Sequence, residues 1–367
     1  MARLFLGNFD FEHRLAVPNY QPSMSLKRFN AELASSWLAT ADDGDWLWTP
    51  SPIEPEFFSS SASAELPRVI PTMSLADVPQ DVTCVPWGWS SEIRKYVDRF
   101  GWTANAPCES AVRQANSRAT SEYLERTWSV GLAGARRIEC FEEFQQTLHS
   151  LRSFDQRWVV KAEFGMSARE RILGQGRASE SNANWVRRRL ACCGVVFFEP
   201  WVERVNEWGI QIDIPATGPA KLIGVTPMCV DRRGQYAGSW FLFDRDQLPL
   251  DDAMWSGAID VALRAASHLQ SFGYFGPLGI DAMSYRDFEG ELRIRPLQDL
   301  NARWTMGRLS LDLRRIARSA KYGLWQHGPV ESFRDDIPFE VNRVISTSPR
   351  QVAEQRCQHA SRIVIST

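Results

Sequence analysis

The sequence lacks the patterns that mark several large classes of protein. Its seven cysteines include no Cys-x-x-Cys pair, so neither a zinc site nor a disulfide framework is indicated. Its five histidines show no His-x-x-x-His spacing, which argues against a zinc hydrolase. No Gly-x-x-x-x-Gly-Lys-Ser/Thr loop is present, and the formal net charge is only −2, so neither a P-loop protein nor a nucleic-acid-binding protein is expected.

Long apolar runs are missing as well. The N-terminus carries polar residues such as Asn8, Asp10 and His13 where a signal peptide needs an apolar core. The hydrophobic content of 44% and the charged content of 23% are those of an ordinary globular protein. We therefore expect a cytoplasmic protein that has no membrane partner and no nucleic-acid partner.

The length of 367 residues exceeds that of most single cores, so several domains are expected. Residues 1–108 are predicted to form a small α/β domain, because a strand pattern at Val82–Val85 leads through a turn into a helix pattern over Ser91–Phe100. Ser90 is expected to cap that helix, and Gly101 is expected to end it.

Helix and strand patterns continue beyond this domain. Helix patterns cover Glu109–Arg126 and Phe141–Phe154, and the strand pattern over Arg157–Ala162 brings Lys161 to the start of a loop at Glu163–Gly176. That loop combines glycines with arginines. Because backbone amides and basic side chains bind phosphate groups, the loop is a candidate phosphate-binding segment.

The most informative stretch is Asp299–Arg303, which follows a predicted hairpin that also contains Asp281. Acid, amide and guanidinium side chains at alternate positions project from one face of an extended segment. Two carboxylates about 4 Å apart repel each other by roughly 4 kcal/mol at an effective dielectric constant of 20, so they are seldom paired without a cation or a shared proton. Mg²⁺ prefers such oxygen ligands. A polar edge strand or a turn is the alternative interpretation of these five residues alone.

The order of these features resembles the ATP-grasp superfamily of carboxylate–amine ligases. A lysine at a strand end, a loop, an apolar strand ending at Glu199, and paired acids before Asn301 and Arg303 follow one another within roughly residues 116–307. The resemblance implies an α+β fold in which two α+β subdomains grip ATP behind a preceding α/β domain. The implied domains are residues 1–108 (preceding domain), 109–202 (N-terminal subdomain with the phosphate loop), 203–310 (C-terminal subdomain with the metal site) and 311–367 (C-terminal helical extension).

The resemblance also assigns roles to individual residues. Lys161 and Arg303 are the implied catalytic residues, since each would neutralise charge on the transferred phosphoryl group. The implied metal ligands are Asp281, Asp299 and Asn301, with Mg²⁺ as the ion and Mn²⁺ as the alternative. The implied ATP-binding residues are Arg118, Lys161, Gly165, Ser167, Glu199, Trp201, Val202 and Glu207. Asp299 stands where the family usually has Glu, and Arg118 stands where it usually has Lys, which changes the donor geometry.

The implied activity is that of an ATP-dependent, ADP-forming ligase. It would convert a small-molecule or peptide carboxylate into an acyl phosphate and transfer it to an amine, forming an amide or peptide bond. Two alternatives stay open, namely an ATP-grasp small-molecule kinase and a nucleotide-binding regulatory protein without catalysis. The arginines after Ser310 suit either a cover for the cleft or a homodimer contact, and the sequence does not name the substrates.

Overall fold

A computed structural model describes most of the chain. The described residues are 1–17, 19–59, 65–153, 155–165, 170–231, 234–243, 252–329, 333, 337 and 339–366. Ser167, predicted to bind the nucleotide, lies outside them, as do Arg232 and Arg233. None of the helices in the described part is both long and apolar enough to cross a lipid bilayer.

Helices and strands both occur throughout the described part of the chain. The α-helices are α1 (Phe11–Ala16), α2 (Met24–Ala34), α3 (Pro55–Ser59), α4 (Ser91–Phe100), α5 (Glu109–Ala115), α6 (Arg118–Trp128), α7 (Phe141–His149), α8 (Glu180–Cys193), α9 (Asp252–Ser271) and α10 (Met306–Asp312). The strands are β1 (Arg3–Leu6), β2 (Trp46–Trp48), β3 (Ile70–Thr72), β4 (Thr83–Pro86), β5 (Arg136–Ile138), β6 (Arg157–Ala162), β7 (Arg171–Gln175), β8 (Val196–Pro200), β9 (Glu203–Ile214), β10 (Lys221–Val230), β11 (Tyr236–Leu242), β12 (Gly276–Arg286), β13 (Leu292–Asn301), β14 (Tyr322–Pro329), β15 (Arg343–Ser346), β16 (Gln351–Val352), β17 (Gln355–Arg356) and β18 (His359–Ser366). Short 3-10 helices occupy Ser35–Ala39, Leu75–Asp77 and Leu313–Arg315.

The N-terminal part is built on a parallel sheet in the order β3-β2-β1-β4. The helix after β4 begins and ends as its sequence predicts: the Ser90 hydroxyl accepts a hydrogen bond from the Ile93 amide, and Gly101 closes the helix at a φ of 71°. Trp87, in the turn between β4 and α4, is buried against Phe9 with ring centroids 4.7 Å apart. This turn forms one side of the site described below.

A second, antiparallel sheet has the order β5-β8-β6-β7 and carries Lys161 on its central strand β6. Trp158, Phe144 and Val196 are fully buried in its core. Strand β6 pairs with β7 and β8 and is packed by these apolar residues. This rigid sheet therefore holds Lys161 in place.

The largest sheet runs in the order β13-β12-β9-β10-β11-β14-β18-β15. The long helix α9 packs on it through alanines that are almost wholly buried, at positions 258, 262, 265 and 266. Small side chains let the helix axis approach the strands closely, so α9 packs directly against β13, β12 and β9.

The prediction of one helix over Glu109–Arg126 is wrong. The segment forms α5 and α6, with a break at Asn116 and Ser117. Ser117 caps α6 by accepting a hydrogen bond from the Ala119 amide at 3.1 Å, while the Asn116 amide group bonds to both backbone groups of Ala302. Side-chain hydrogen bonds of this kind offer the backbone an alternative to a continuous helix.

The prediction of a helical extension over 311–367 is also wrong. After α10 and a short 3-10 turn, the chain forms β14, β18 and β15, which complete the largest sheet. Apolar residues of these strands, among them Trp325, Ile363 and Val364, are fully buried. The arginine-rich stretch after Ser310 predicted a helix, and that prediction was extended to the end of the chain. The spacing of those arginines carries no information about the strands that follow them. The proposed division into domains stays a prediction.

Candidate active site

One cavity of about 210 Å³ lies between the N-terminal part, β6 and the β12–β13 hairpin. Eight of the predicted site residues line it, namely Arg118, Lys161, Gly165, Glu207, Asp281, Asp299, Asn301 and Arg303. They come from five different elements and two loops, so the fold gathers residues that are far apart in sequence. Their roles stay predictions, whereas their arrangement can be described directly.

The two acids of the predicted metal site lie side by side. Asp281 on β12 is the direct cross-strand partner of Asp299 on β13, so both side chains leave the sheet on the same face. Burial, together with the nearby charges of Asp299 and Glu207, raises the pKa of Asp281 to about 7. A cation beside this pair of acids would favour the ionised form of Asp281.

The residues present fit a divalent ion only in part. Mg²⁺ is typically bound by one or two carboxylates together with phosphate oxygens and water, and Asp281 and Asp299 supply that pair. No cluster of three His, Cys, Asp or Glu side chains suited to a metal occurs within the described ranges. Asn301 donates its Nδ2 to Asp281 at 3.3 Å and accepts from Arg303 through Oδ1 at 3.0 Å. Its oxygen is therefore turned towards the arginine, and ligation would require the amide to reverse.

Arg118, the first residue of α6, is held against the same acids. Its Nη1 lies 3.0 Å from Asp299 Oδ2, and its Nε donates to the Ala162 carbonyl at 2.9 Å. The guanidinium thus links the end of β6 to the hairpin. A cation at this point lowers the repulsion between the two carboxylates and also offers donors to an incoming phosphate.

Arg303 is positioned by a residue that the sequence did not single out. Its Nε donates to Glu12 Oε1 at 2.6 Å, its Nη1 donates to the Trp304 carbonyl at 2.9 Å, and its guanidinium lies 5.3 Å from the Trp87 ring centroid. Glu12 is almost fully buried on α1. A single buried acid near the N-terminus has no motif around it, so only the folded structure reveals this contact.

Lys161 belongs to a buried chain of alternating charges. Its Nζ lies 2.7 Å from Glu199 Oε2, while Arg295 Nη2 lies 3.0 Å from Glu199 Oε1. Arg295 also bonds to Glu125 through Nε at 2.6 Å and Nη2 at 2.8 Å. Burial opposes ionisation of Glu199, but Arg295 and Lys161 outweigh it and hold the pKa of that carboxyl well below its usual range.

Burial and the charges of the same network also shift the pKa values of Lys161 and Glu125. Burial lowers the pKa of Lys161, although Glu199 opposes the shift. Burial raises the pKa of Glu125, against the pull of Arg295. Glu125 was not predicted from the sequence because it falls on an ordinary helical pattern, and Arg295 because it falls within a strand pattern without a motif. Both are almost fully buried.

Comparison with known proteins adds to this geometry. Neither a protein-family profile nor a curated protein matches the chain. Solved structures do match it. The biotin carboxylase domain of Hydrogenobacter thermophilus 2-oxoglutarate carboxylase, solved with MgADP, ADP and bicarbonate, has a TM-score of 0.56 and 13% identity over 100% of this chain and 86% of that one.

Two further structures show the same likeness. Biotin carboxylase from Campylobacter jejuni has a TM-score of 0.56 and 11% identity over 99% of this chain and 87% of its own. The N5-carboxyaminoimidazole synthetase from Staphylococcus aureus has a TM-score of 0.54 and 8% identity over 100% of this chain and 93% of its own. All three are ATP-grasp proteins. The chain has the ATP-grasp fold.

The predicted α+β class and the ATP-grasp fold are thereby confirmed. Within this fold, the residues predicted to hold the base line a smaller cavity next to the first. Glu199, Trp201 and Val202 share it with Lys161 and Gln298. The Trp201 amide already donates to the Arg157 carbonyl at 2.8 Å, so this N–H has a partner within the protein. Glu207, predicted to lie near the ribose, contacts Arg204.

Proposed function

We propose that this protein is an ATP-dependent carboxylate–amine ligase that forms an amide or peptide bond and releases ADP and phosphate. The observation that carries the proposal is the Asp281–Asp299 pair, which shares one cavity with Lys161, Arg118 and Arg303 inside an ATP-grasp fold. Solved structures with this fold were obtained with ADP, with MgADP and with bicarbonate, and these ligands suit such a cavity.

In the proposed reaction, the positively charged residues of the cavity stabilise the phosphoryl group during its transfer. A carboxylate oxygen of the first substrate would attack the γ-phosphorus of ATP, the bond from that phosphorus to ADP would break, and an acyl phosphate would form. Lys161 and Arg303, which line the same cavity as the acid pair, would stabilise the charge on the phosphoryl oxygens. The amine nitrogen would then attack the acyl carbon, and phosphate would leave as the carbon–oxygen bond breaks.

ATP and Mg²⁺ are the proposed cofactors. The ion would neutralise phosphate charge, and Asp281 and Asp299 are the residues that would hold it. Arg118 contributes a fixed positive charge beside Asp299. The protein groups thus orient the nucleotide and exclude water, while the reaction itself needs no nucleophilic side chain.

The test is ADP release in the presence of Mg²⁺ and a panel of carboxylic acids and amines. Asp299→Ala and Asn301→Ala should each abolish release that the wild type shows with its substrates. Asp260→Ala, an exposed acid on α9, is the matched control and should behave as the wild type. Unchanged turnover in both site variants would overturn the proposal.

The products distinguish the alternatives. Mass spectrometry that finds a stable phosphorylated acid and no amide would identify a kinase, and ATP binding without turnover across the panel would identify a regulatory protein. The homodimer and the cytoplasmic location stay predictions from the sequence, which does not name the substrates.

A further inference from the structure

The acid predicted to contact the adenine base has no free carboxylate oxygen in this structure. Glu199 Oε2 is bound to Lys161 at 2.7 Å, and Oε1 is bound to Arg295 at 3.0 Å. Both cations are themselves buried. Moving Glu199 towards a base would leave the buried Lys161 ammonium without its carboxylate partner, while Arg295 would keep only Glu125, and an unpaired buried charge is costly. The Glu199 carboxylate therefore serves to hold the Lys161 ammonium group in place.

A different side chain near Glu199 does have unused hydrogen-bonding capacity. The Oε1 atom of Gln298 is buried and has no hydrogen-bond partner among the described residues. Gln298 lines both the large cavity and the smaller cavity that contains Glu199, Trp201 and Val202. The Nη1 atom of Arg295, which lines the smaller cavity too, is likewise buried without a partner in the described part of the chain.

The local backbone explains why Gln298 and Asp299 reach the same cavity although they are sequence neighbours. The β12–β13 pairing shifts between Asp281 and Met283, which face Asp299 and Arg295 respectively. The extra residues on β13 form a bulge, and bulges redirect side chains that would otherwise alternate between the two faces. Gln298 is thus placed beside the predicted metal ligand instead of behind it.

We propose that Gln298, together with Arg295 on the same cavity wall, reads the edge of the nucleotide base, and that Glu199 instead positions Lys161. This inference rests on the proposed nucleotide-dependent function. An unpaired acceptor and an unpaired donor that line one cavity match adenine, whose exocyclic amino group donates and whose N7 accepts. A 6-oxo purine presents two acceptors on that edge, so its oxygen would face the Gln298 oxygen. The pair selects for adenine nucleotides.

The experiment compares three probes by titration calorimetry with Mg²⁺: ATP, purine riboside triphosphate, which lacks the 6-amino group, and inosine triphosphate, which carries a 6-oxo group. In the wild type, ATP should bind at least about tenfold more tightly than purine riboside triphosphate, since losing the donor leaves a buried acceptor unpaired. In Gln298→Met this ratio should fall close to one, while the affinity for purine riboside triphosphate is kept. Such retained binding also shows that the variant is folded.

The second variant, Gln298→Glu, keeps the acceptor oxygen at this position but removes the NH₂ donor. A glutamine amide can rotate and present its NH₂ group, whereas a carboxylate can only accept. Gln298→Glu should therefore keep the preference for ATP over purine riboside triphosphate and weaken inosine triphosphate binding further than in the wild type. Unchanged discrimination against inosine triphosphate would count against the inference, even if the Met variant failed to fold.

Two controls separate the possible explanations. Gln146→Met, an exposed position on α7, should leave every ratio unchanged. Glu199→Gln should weaken ATP and purine riboside triphosphate equally, because it acts on the phosphates through Lys161. If Glu199→Gln removes the discrimination and Gln298→Met preserves it, the assignment is overturned. If the wild type binds none of the three nucleotides, the proposed function itself falls, and the inference falls with it.

Discussion

At the scale of single residues, charge pairing distinguishes Asp281 from its neighbours in the cavity. Arg118, Lys161 and Arg303 each lie against a carboxylate. Asp281 instead contacts the neutral amide of Asn301 and the like charge of Asp299. The positive charges of the two arginines and the lysine are thus paired with carboxylates, whereas the negative charge of ionised Asp281 is unfavourable. We expect this imbalance to appear as a pH dependence of folding.

Asp281→Asn should stabilise the protein at high pH. An unfolded aspartate titrates near 3.8, but Asp281 titrates near 7 when folded. The folded protein keeps a proton that the unfolded chain has lost, so this residue lowers stability as pH rises from about 4 to about 7, by up to about 4 kcal/mol. Urea unfolding at pH 5 and pH 8 without divalent ions measures the difference. The variant should lose less stability between the two pH values than the wild type does.

Magnesium provides the complementary measurement. At pH 8, Mg²⁺ with a non-hydrolysable ATP analogue should raise the wild-type unfolding free energy, because a ligand that binds only the folded state stabilises it. The same addition should have a much smaller effect on Asp281→Asn, which has lost one of the two acids. Equal responses of the two proteins would show that Asp281 does not hold the ion.

At the scale of elements, the break between α5 and α6 supports the hairpin that carries the acids. The Asn116 side chain bonds to both the amide and the carbonyl of Ala302, at 3.0 and 3.2 Å, and also to the Val112 carbonyl. Ala302 lies between Asn301 and Arg303. One buried amide therefore fixes the stretch from which two predicted site residues project.

Asn116→Ala should destabilise the fold and impair catalysis together. Removing the amide leaves backbone groups of Ala302 without partners, which costs about 2 kcal/mol. The displaced strand end should lower turnover more than it lowers nucleotide affinity. Chemical denaturation and ADP-release kinetics measure the two effects. Asn184→Ala, an exposed asparagine on α8, should change neither.

The sequence allowed the hairpin to be predicted but not the break. Asp281 and Asp299 were expected to meet because strand patterns surround a Glu-Gly turn, and such local patterns define pairing well. The break at Asn116 depends on Ala302, a residue 186 positions away. Strand β18 likewise forms by pairing with β14, a neighbour in the sheet that is distant in sequence. Side chains whose partners are distant in sequence leave no periodic trace, so Glu12, Glu125 and the C-terminal strands were not predicted.

At the scale of the whole molecule, the N-terminal part contributes directly to the cavity. Glu12 on α1 holds Arg303, Trp87 lies under the guanidinium, and the Trp304 amide donates to the Trp87 carbonyl at 3.1 Å. These contacts are made by Arg303 and Trp304, whereas Lys161 is held by Glu199. The N-terminal part should therefore affect the transfer step and leave nucleotide binding unchanged.

Glu12→Gln should lower turnover by about 10- to 100-fold, since a small displacement of a positioned group has effects of that size. The nucleotide affinity should stay the same, because the contacts around Lys161 are untouched. Single-turnover rates and ATP titrations separate the two quantities. Glu56→Gln, an exposed acid on α3, is the control. A loss of ATP affinity equal to the loss of rate would contradict a role confined to Arg303.

The link between Glu12 and Arg303 spans 291 residues of sequence, and Glu32 accepts hydrogen bonds from the amides of Gln358 and His359 across more than 320. Closing such long loops is entropically unfavourable and slow compared with forming helices and hairpins. During refolding, circular dichroism should therefore recover before enzymatic turnover does. The delay between the two signals would report the moment at which distant parts of the chain join to complete Arg303's surroundings.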